Sequence, residues 1–546
     1  MPTPNTPQYK TETLEHLGLV AGMIDELEIG HTIDQLVPQD HSQRHITVGQ
    51  ALKAMVLNGL GFANRRLYLT SHFFTNKPLE RLIGMGVKAE HLNDDALGRA
   101  LDAIHEFGVT ELYSHIAARA VQRLGIAPKA GHMDVSSFHV DGHYNSDEPP
   151  EDDAIIHITK GYSRDHRDDL NQAALELIVE HQASIPILMQ PLSGNTNDKT
   201  AFASTIENHV GHLKMSYGLN LVITDSAGFT PKCLRAFEQR DVSWVMSVPG
   251  TIKRVQELLD QADPETMQPL TDGYGYQPLR ERYAGVDQRW LLIYSEAARH
   301  RVQKSVDKAL AKRTTDEQKR FVRLCRKNFN CQEDAIAALG AFRKTLKVLE
   351  VIEHEVTLSV KYAHPGRPAK DAVPDRVEYQ VTGVLAARVA TRESWITRRS
   401  CFVLATNELN TSELSDAGVL EAYKGQSGVE RGFRFLKDPM FMASVFFVKR
   451  VERLMALLMM MTVCLLVYAA LEYRIREALA EHDLSVHDQK GKPTQRPSAR
   501  WIFESFLDVH LLTISMAEVQ VLVMNLDQDL NSLLRVLGWR YVEQYS

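Results

Sequence analysis

The chain has 546 residues, 44% of them apolar and 24% charged, and a formal net charge of −7. That length exceeds what one ordinary core supports, so three or four structural units are expected, and the composition excludes an intrinsically disordered chain. The acidic balance excludes a uniformly basic nucleic-acid coat, whereas a specific nucleic-acid enzyme needs only local positive surface. Five cysteines (Cys233, Cys325, Cys331, Cys401, Cys464) are scattered without a C-x-x-C pair, which argues against a disulfide scaffold or a cysteine-framed zinc site and for a reducing compartment. The first residues, MPTPNTPQYKTETLEHLG, carry neither a basic nor an apolar export signal, so a cytoplasmic location is expected.

In chain order, residues 1–128 read as an α-helical N-terminal domain, with helices over Val48–Leu57 and in the run NDDALGRALDAIHEF, where Asn93 is a capping residue. DNA-end binding, dimer assembly and a plain structural role all suit such a unit. Over 129–250 the pattern becomes α/β. Strands are expected at His132–Val140, Ala173–Glu180 and Ile187–Pro191, then a helix at Thr200–Leu213. A strand at Leu219–Thr224, a helix opened by Thr230-Pro231 and a strand at Val242–Val248 complete the unit. Three strands, helix, strand, helix, strand is the order of a ribonuclease-H-like sheet.

Residues 251–415 read as a large mixed insertion, helical and basic first and strand-rich later. From Arg299 to Lys347 there are 14 Lys and Arg against 5 Asp and Glu, which suits either a solvated helical face or a DNA-facing one. Helical periodicity returns over 416–483, the second part of the core. Leu454–Leu471 is uncharged and near the lower length limit for a membrane span, but it has no second hydrophobic partner and reads as a buried core helix. Residues 484–546 read as a polar loop followed by a C-terminal helical segment containing Trp501 and Trp539.

Two acids stand out by position. Asp134 lies inside an apolar strand, where a charge is costly unless it binds something, and Asp225 ends an apolar strand at its carboxyl end, where ligands of open α/β sheets gather. Each also has a plain reading, as an outward strand residue and as the first residue of a turn. Further on, Tyr423, Gln426, Glu430 and Lys437 share a stripe roughly 60° wide at about 100° per residue, beside an apolar stripe of Val429, Phe433 and Leu436. Against this, Ser427-x-x-Glu430 is a capping-box pattern, and glycines at 425, 428 and 432 disfavour a helix. Arg164 and Arg167, beside Asp165, Asp168 and Asp169, suit phosphate contact or local ion pairing equally. His132 and His139 lack metal-ligand spacing and read as structural.

The stretch 423–437 resembles the Tyr-x2-Arg-x3-Glu-x6-Lys signature of bacterial insertion-sequence transposases of the DDE class, in the superfamily named after insertion sequence four. Further likeness lies in GYSRDHRDDLNQ (161–172), PLSGNTNDK (191–199), LVITDSAGF (221–229), GRP (366–368) and FVLATN, together spanning roughly 130–475. The resemblance implies a ribonuclease-H-like core with Asp134, Asp225 and Glu430 as catalytic acids and ligands of Mg²⁺, with Mn²⁺ as a substitute. It implies contact of Lys437 and Tyr423 with DNA. Gln426 stands where the signature has arginine and cannot offer a charged bidentate fork, so either weaker binding of the end phosphate or compensation by Arg431 or Arg434 is expected.

The function so implied is cleavage at transposon ends and strand transfer into target DNA by two-metal phosphoryl transfer, in a bacterial nucleoid, by a homodimer on double-stranded DNA, with no role for a membrane. No G-x-x-x-x-G-K-[ST] loop is present, so ATP is not expected. The rivals are a nuclease that cuts without joining and a catalytically silent DNA-binding descendant of a transposase.

Overall fold

The computed structural model describes residues 8–40, 44–62, 69–140, 144, 148–152, 154–163, 167–362, 373–438, 449–515 and 519–546. Nine strands form its main sheet: β1 (Ala130–His139), β2 (Gln172–Glu180), β3 (Pro186–Ser193), β4 (Leu221–Thr224), β5 (Ser243–Ser247), β6 (Gln268–Thr271), β7 (Tyr274–Tyr283), β8 (Val286–Ser295) and β9 (Cys401–Thr406), in the order 3-2-1-4-5-9-8-7-6. The strands β1, β4 and β5 are parallel neighbours, and every other pairing is antiparallel. β1 and β2 are buried almost throughout, which is why they read as near-continuous apolar runs.

Strand alternation divides the sheet into two faces. Met133, Val135, Val222, Trp244 and Met246 lie in one cluster with residues of the helical stretch Asp198–Tyr217 and of the helix Pro231–Gln239. Thr230 caps the latter through the Cys233 N–H, with Pro231 at its first position. On the other face, Ile223, Val245, Leu291 and Leu404 meet the helix Asp416–Lys424, while Leu175, Leu177 and Val179 join a cluster built on the helix Val451–Glu481.

That 31-residue helix is long and apolar enough to cross a membrane, yet 94% of its most apolar window is buried inside the molecule. The helices Leu17–Glu26, Val48–Leu60, Asp94–Phe107 and Val109–Leu124 surround it, together with Gln528–Leu537 from the far end of the chain. Arg453 at its start makes a forked ion pair with Asp102, at 2.8 and 2.7 Å. The two ends of the chain are joined directly: Gln8–Thr13 pairs with His510–Ser515, and the Tyr541 and Tyr545 rings lie against Gly22 and Gly18, where any Cβ would come within 3 Å of them.

Two regions differ from the sequence expectation. Residues 251–415 are not wholly an insertion outside the core. Lys253–Gln261 is helical, but β6, β7 and β8 extend the main sheet as a meander, and β9 returns to fill the place between β5 and β8. Only the basic helix Glu296–Cys325, the helix Gln332–Thr345 and the arm made by Leu349–Lys361 and Arg376–Ala387 stand apart, around a small cluster of their own. The segment 484–546 is likewise not simply helical, since His510–Ser515 and Val519–Met524 are paired strands. The place of β9 between β5 and β8 and the pairing of His510–Ser515 with Gln8–Thr13 join residues far apart in sequence, which local periodicity does not register.

Leu458, fully buried in the central helix, tests how much the assembly depends on that helix. Leu458→Ala should lower stability by about 2–5 kcal/mol, read from urea denaturation followed by circular dichroism.

Candidate active site

The parallel register creates the site. Ala130, Gly131 and His132 of β1 stand beside Leu221, Val222 and Ile223 of β4, and Leu221–Thr224 stand beside Ser243–Met246 of β5. Continuing both ladders brings Asp134, Asp225 and Ser247 level across three adjacent strands, which lie about 4.8 Å apart. Alternation turns Asp134 toward the face of Leu177, its cross-strand partner, and this is the face covered by the helix Ser427–Leu436. Asp134 is 7% exposed, and its Oδ1 accepts the Val135 N–H at 2.8 Å. Asp225 is half-buried, and its Oδ1 accepts the Ala227 N–H at 2.9 Å in a tight turn. Gly228 is required in that turn, because a Cβ there would fall 2.1 Å from Thr224 Oγ1.

The segment expected as one continuous helix is two, Asp416–Lys424 and Ser427–Leu436, with a turn at Gly425–Gln426. The backbone remains right-handed through the turn, so direction changes without an extended break. Gln426, not Ser427, is the cap of the second helix, and it makes no side-chain cap bond, so the capping-box reading of Glu430 does not hold. The glycines allow close approach. A Cβ at Gly425 would lie 2.5 Å from the His181 ring and 3.0 Å from that of His132, one at Gly428 would meet Ser184 at 3.1 Å, and one at Gly432 would meet Leu465 at 3.0 Å.

The turn also decides where the stripe residues go. Val429, Phe433 and Leu436 are buried as their apolar stripe requires, and Glu430 is exposed. Tyr423 is half-buried, and its phenol is pushed above the ordinary range by burial and by the negative field of both Asp225 and Glu430, against a hydrogen bond with Ser247. Its hydroxyl thus meets Ser247 and feels the charge of Asp225 and Glu430 together. Lys437 ends the second helix with Nζ 5.7 Å from the centre of the Phe138 ring, four residues beyond Asp134 on β1.

Other expected residues fall elsewhere. Gln426 is buried. Arg431 lines a separate cavity of about 950 Å³ between residues 181–184 and the central helix, whereas Arg434 is exposed one turn beyond Glu430. Arg167 is held in a forked ion pair with Asp169, at 2.9 and 3.0 Å, and Arg164 and the GRP motif lie outside the described residues. Among the described residues, no group of three or more His, Cys, Asp or Glu side chains stands arranged to hold a metal ion.

Two polar groups near the site, Ser247 and Glu176, have no place in the sequence reading, and a third, His132, has a partner that the sequence does not show. Ser247 could have been found by aligning the ends of the two parallel strands, β4 and β5. His132 had been read as structural without a partner; its Nε2 lies 2.8 Å from Nδ1 of His181, and burial with the neighbouring ring lowers its pKa to about 4. Glu176, on β2 beside Val135, is almost fully buried. Its Oε2 accepts the Thr205 hydroxyl at 2.6 Å, and burial raises its pKa to about 8, with Asp198 and Asp134 adding to the rise.

These features coincide with a recognised family. Residues 132–467 match the model of the transposase DDE domain, more than half of the chain, and the chain therefore belongs to the DDE transposase family. Residues 9–118 match a domain of unknown function, DUF4277. No curated protein matches. Among solved structures, the piggyBac transposase synaptic complex with hairpin DNA is similar at 11% identity over 91% of this chain and 82% of that one, with a TM-score of 0.38, a likeness too distant to bear on the site.

Gly425→Ala should cost about 1–3 kcal/mol in a denaturant titration, because the turn must lift off the two histidines. Glu176 makes a second test. Its folded pKa lies above the unfolded one, so its contribution is intact below about pH 4.5 and is lost as pH rises toward about 8. Glu176→Gln should therefore flatten the decline in melting temperature across that window and leave stability near pH 4 unchanged.

Proposed function

We propose that the chain is a transposase with a ribonuclease-H-like core that cleaves DNA at the ends of a mobile element and joins the freed end to a target, using Asp134, Asp225 and Glu430. The observation that carries this reading is the parallel pairing of β1 with β4, which, continued by two residues, sets Asp134, midway along β1 and under the helix that bears Glu430, level with Asp225 just beyond the end of β4. The chemistry of this donor set fits divalent cations, because all three groups are hard carboxylate oxygens and an acid as buried as Asp134 is offset best by a cation. Bound Mg²⁺, or Mn²⁺ in its place, would activate the attacking oxygen and stabilise the leaving one.

The remaining steps belong to the chain itself. Asp134 and Asp225 would hold the inner side of the metal site, and Glu430, exposed on its helix, would complete it as DNA seats against that helix. Tyr423, a phenol protonated at neutral pH, would donate a hydrogen bond to a phosphate oxygen. Lys437 would neutralise a phosphate at the β1 end, and Arg434 takes the compensating role that the buried Gln426 cannot. Processing two ends together calls for a dimer on DNA, acting at the nucleoid of a bacterial cell.

Two features favour a second reading, a DNA-binding protein without catalysis: Glu430 is exposed, and among the described residues no group of three acids stands ready for a metal. Purified chain, labelled end DNA and Mg²⁺ separate the two. Cleavage to 3′-hydroxyl ends and transfer of a pre-cut end are expected, with Asp225→Asn and Glu430→Ala each reducing both by about a thousandfold or more. Binding without any cleavage by the unmodified chain would overturn the proposal, and cleavage without joining would reduce it to a nuclease.

A further inference from the structure

The helix Glu296–Cys325 sorts its charges by side. It carries nine Lys and Arg, of which three are paired: Arg299 with Glu393, Arg313 with Glu317 and Arg320 with Asp316. The other six, Arg301, Lys304, Lys308, Lys312, Lys319 and Arg323, are all exposed, and among the described residues none of them forms an ion pair. At about 100° per residue the six fall in one stripe roughly 100° wide, opposite the buried Val306, Glu317 and Phe321. None of the four acids of the helix lies in that stripe, and Asp307 is turned to a forked pair with Arg392, at 2.7 and 3.1 Å.

Solubility alone does not account for this pattern. Lys304, Lys308 and Lys312 stand four residues apart, as do Lys319 and Arg323, and like charges at that spacing destabilise a helix. A helix charged only to meet water interleaves both signs. From Arg301 to Arg323 the stripe is about 33 Å long at about 1.5 Å per residue, and an extended stripe of one sign calls for an extended polyanion. A DNA duplex turns once in about 34–36 Å, with a phosphate about every 3.4 Å along each strand. The stripe contains no Asn or Gln, and four of its six cations are lysines, point charges that suit phosphates better than base edges.

The sheet register places the start of this helix at the edge that carries the acids. Ser247, level with Asp225, pairs with Leu404 of β9, and Leu404 pairs with Leu291 of β8. β8 therefore runs in the direction of β5 and ends four residues further on at Ser295, so the helix leaves the sheet about 13 Å beyond the level of the acids. We propose that the helix Glu296–Cys325 grips the phosphates of the duplex that receives the freed end, without reading its sequence. The ends of one element share a sequence and call for base contacts, whereas targets vary, and a stripe that reads no bases suits the target. The role of that duplex as target rests on the proposed transposition; the grip on its backbone does not.

Binding in the absence of Mg²⁺ reads the proposal apart from catalysis. Lys304→Gln, Lys308→Gln and Lys312→Gln together should weaken binding of random-sequence duplex to the full chain about a hundredfold near physiological salt, and lower the slope of log K against log salt by about 0.9 per lysine. Arginine at the same three positions should keep both. The melting temperature of the glutamine variant should not fall, because the change relieves repulsion. A chain saturated with pre-cut end DNA should still capture random duplex, and the glutamine variant should lose that capture. Unchanged affinity and slope would overturn the grip, as would a glutamine variant that melts lower or tighter binding of single-stranded RNA than of duplex. Displacement of random duplex by end DNA would overturn its assignment to the target, whereas a chain that binds in this way and never cleaves would sink only the proposed activity.

Discussion

Burial of the helix Val451–Glu481 is the constraint on which the rest of the molecule depends. Its uncharged apolar stretch, Leu454–Leu471, leaves water only if other elements cover it on every side. Here the N-terminal helices, β3, the second site helix and the C-terminal helices all do so. The covering elements come from both ends of the chain and from its middle, so one buried helix joins parts that the sequence keeps hundreds of residues apart. The Arg453–Asp102 pair and the strand pairing between residues 8–13 and 510–515 then set the register of what the apolar contact brings together.

The site inherits its geometry from this arrangement in two ways. Parallel pairing of β1, β4 and β5 sets a register that, continued, brings level an acid midway along the first, an acid just beyond the second and the serine that ends the third. The helix Ser427–Leu436 is held over that edge through Val429, Phe433 and Leu436, and its Gly432 permits contact with Leu465 of the central helix. Tyr423 sits where these two supports meet, which explains why its hydroxyl senses a strand acid and a helix acid together.

Glycine at 425 shows why packing overrides local propensity in this region. In isolation, three glycines within eight residues weaken a helix by about 1 kcal/mol each. In the folded chain, Gly425 and Gly432 stand where a side chain would collide with a histidine pair or a leucine, so the loss of propensity is exchanged for close packing. The turn that Gly425 and Gln426 form also separates Tyr423, on the first helix, from Glu430 and Lys437 on the second, while Gln426 is buried and Glu430 exposed.

The sequence by itself determined the elements whose pattern is local: the strands of 132–248 and their helices, the Asn93 and Thr230 caps, the buried nature of 454–471, and the candidates Asp134, Asp225 and Glu430 as acids in telling positions. Strand alternation, capping chemistry and unbroken apolar runs each leave a signal within a few residues, and the spacing of Tyr423, Glu430 and Lys437 supplied the resemblance. Only the tertiary structure decided the level of Asp225 with Ser247, the place of β6 to β9 in the main sheet, the pairing of residues 8–13 with 510–515, the His132–His181 contact and the diversion of Gln426 and Arg431. Each of these rests on partners far apart along the chain, and which distant groups meet is settled by the packing of the whole molecule, not by any short stretch of it.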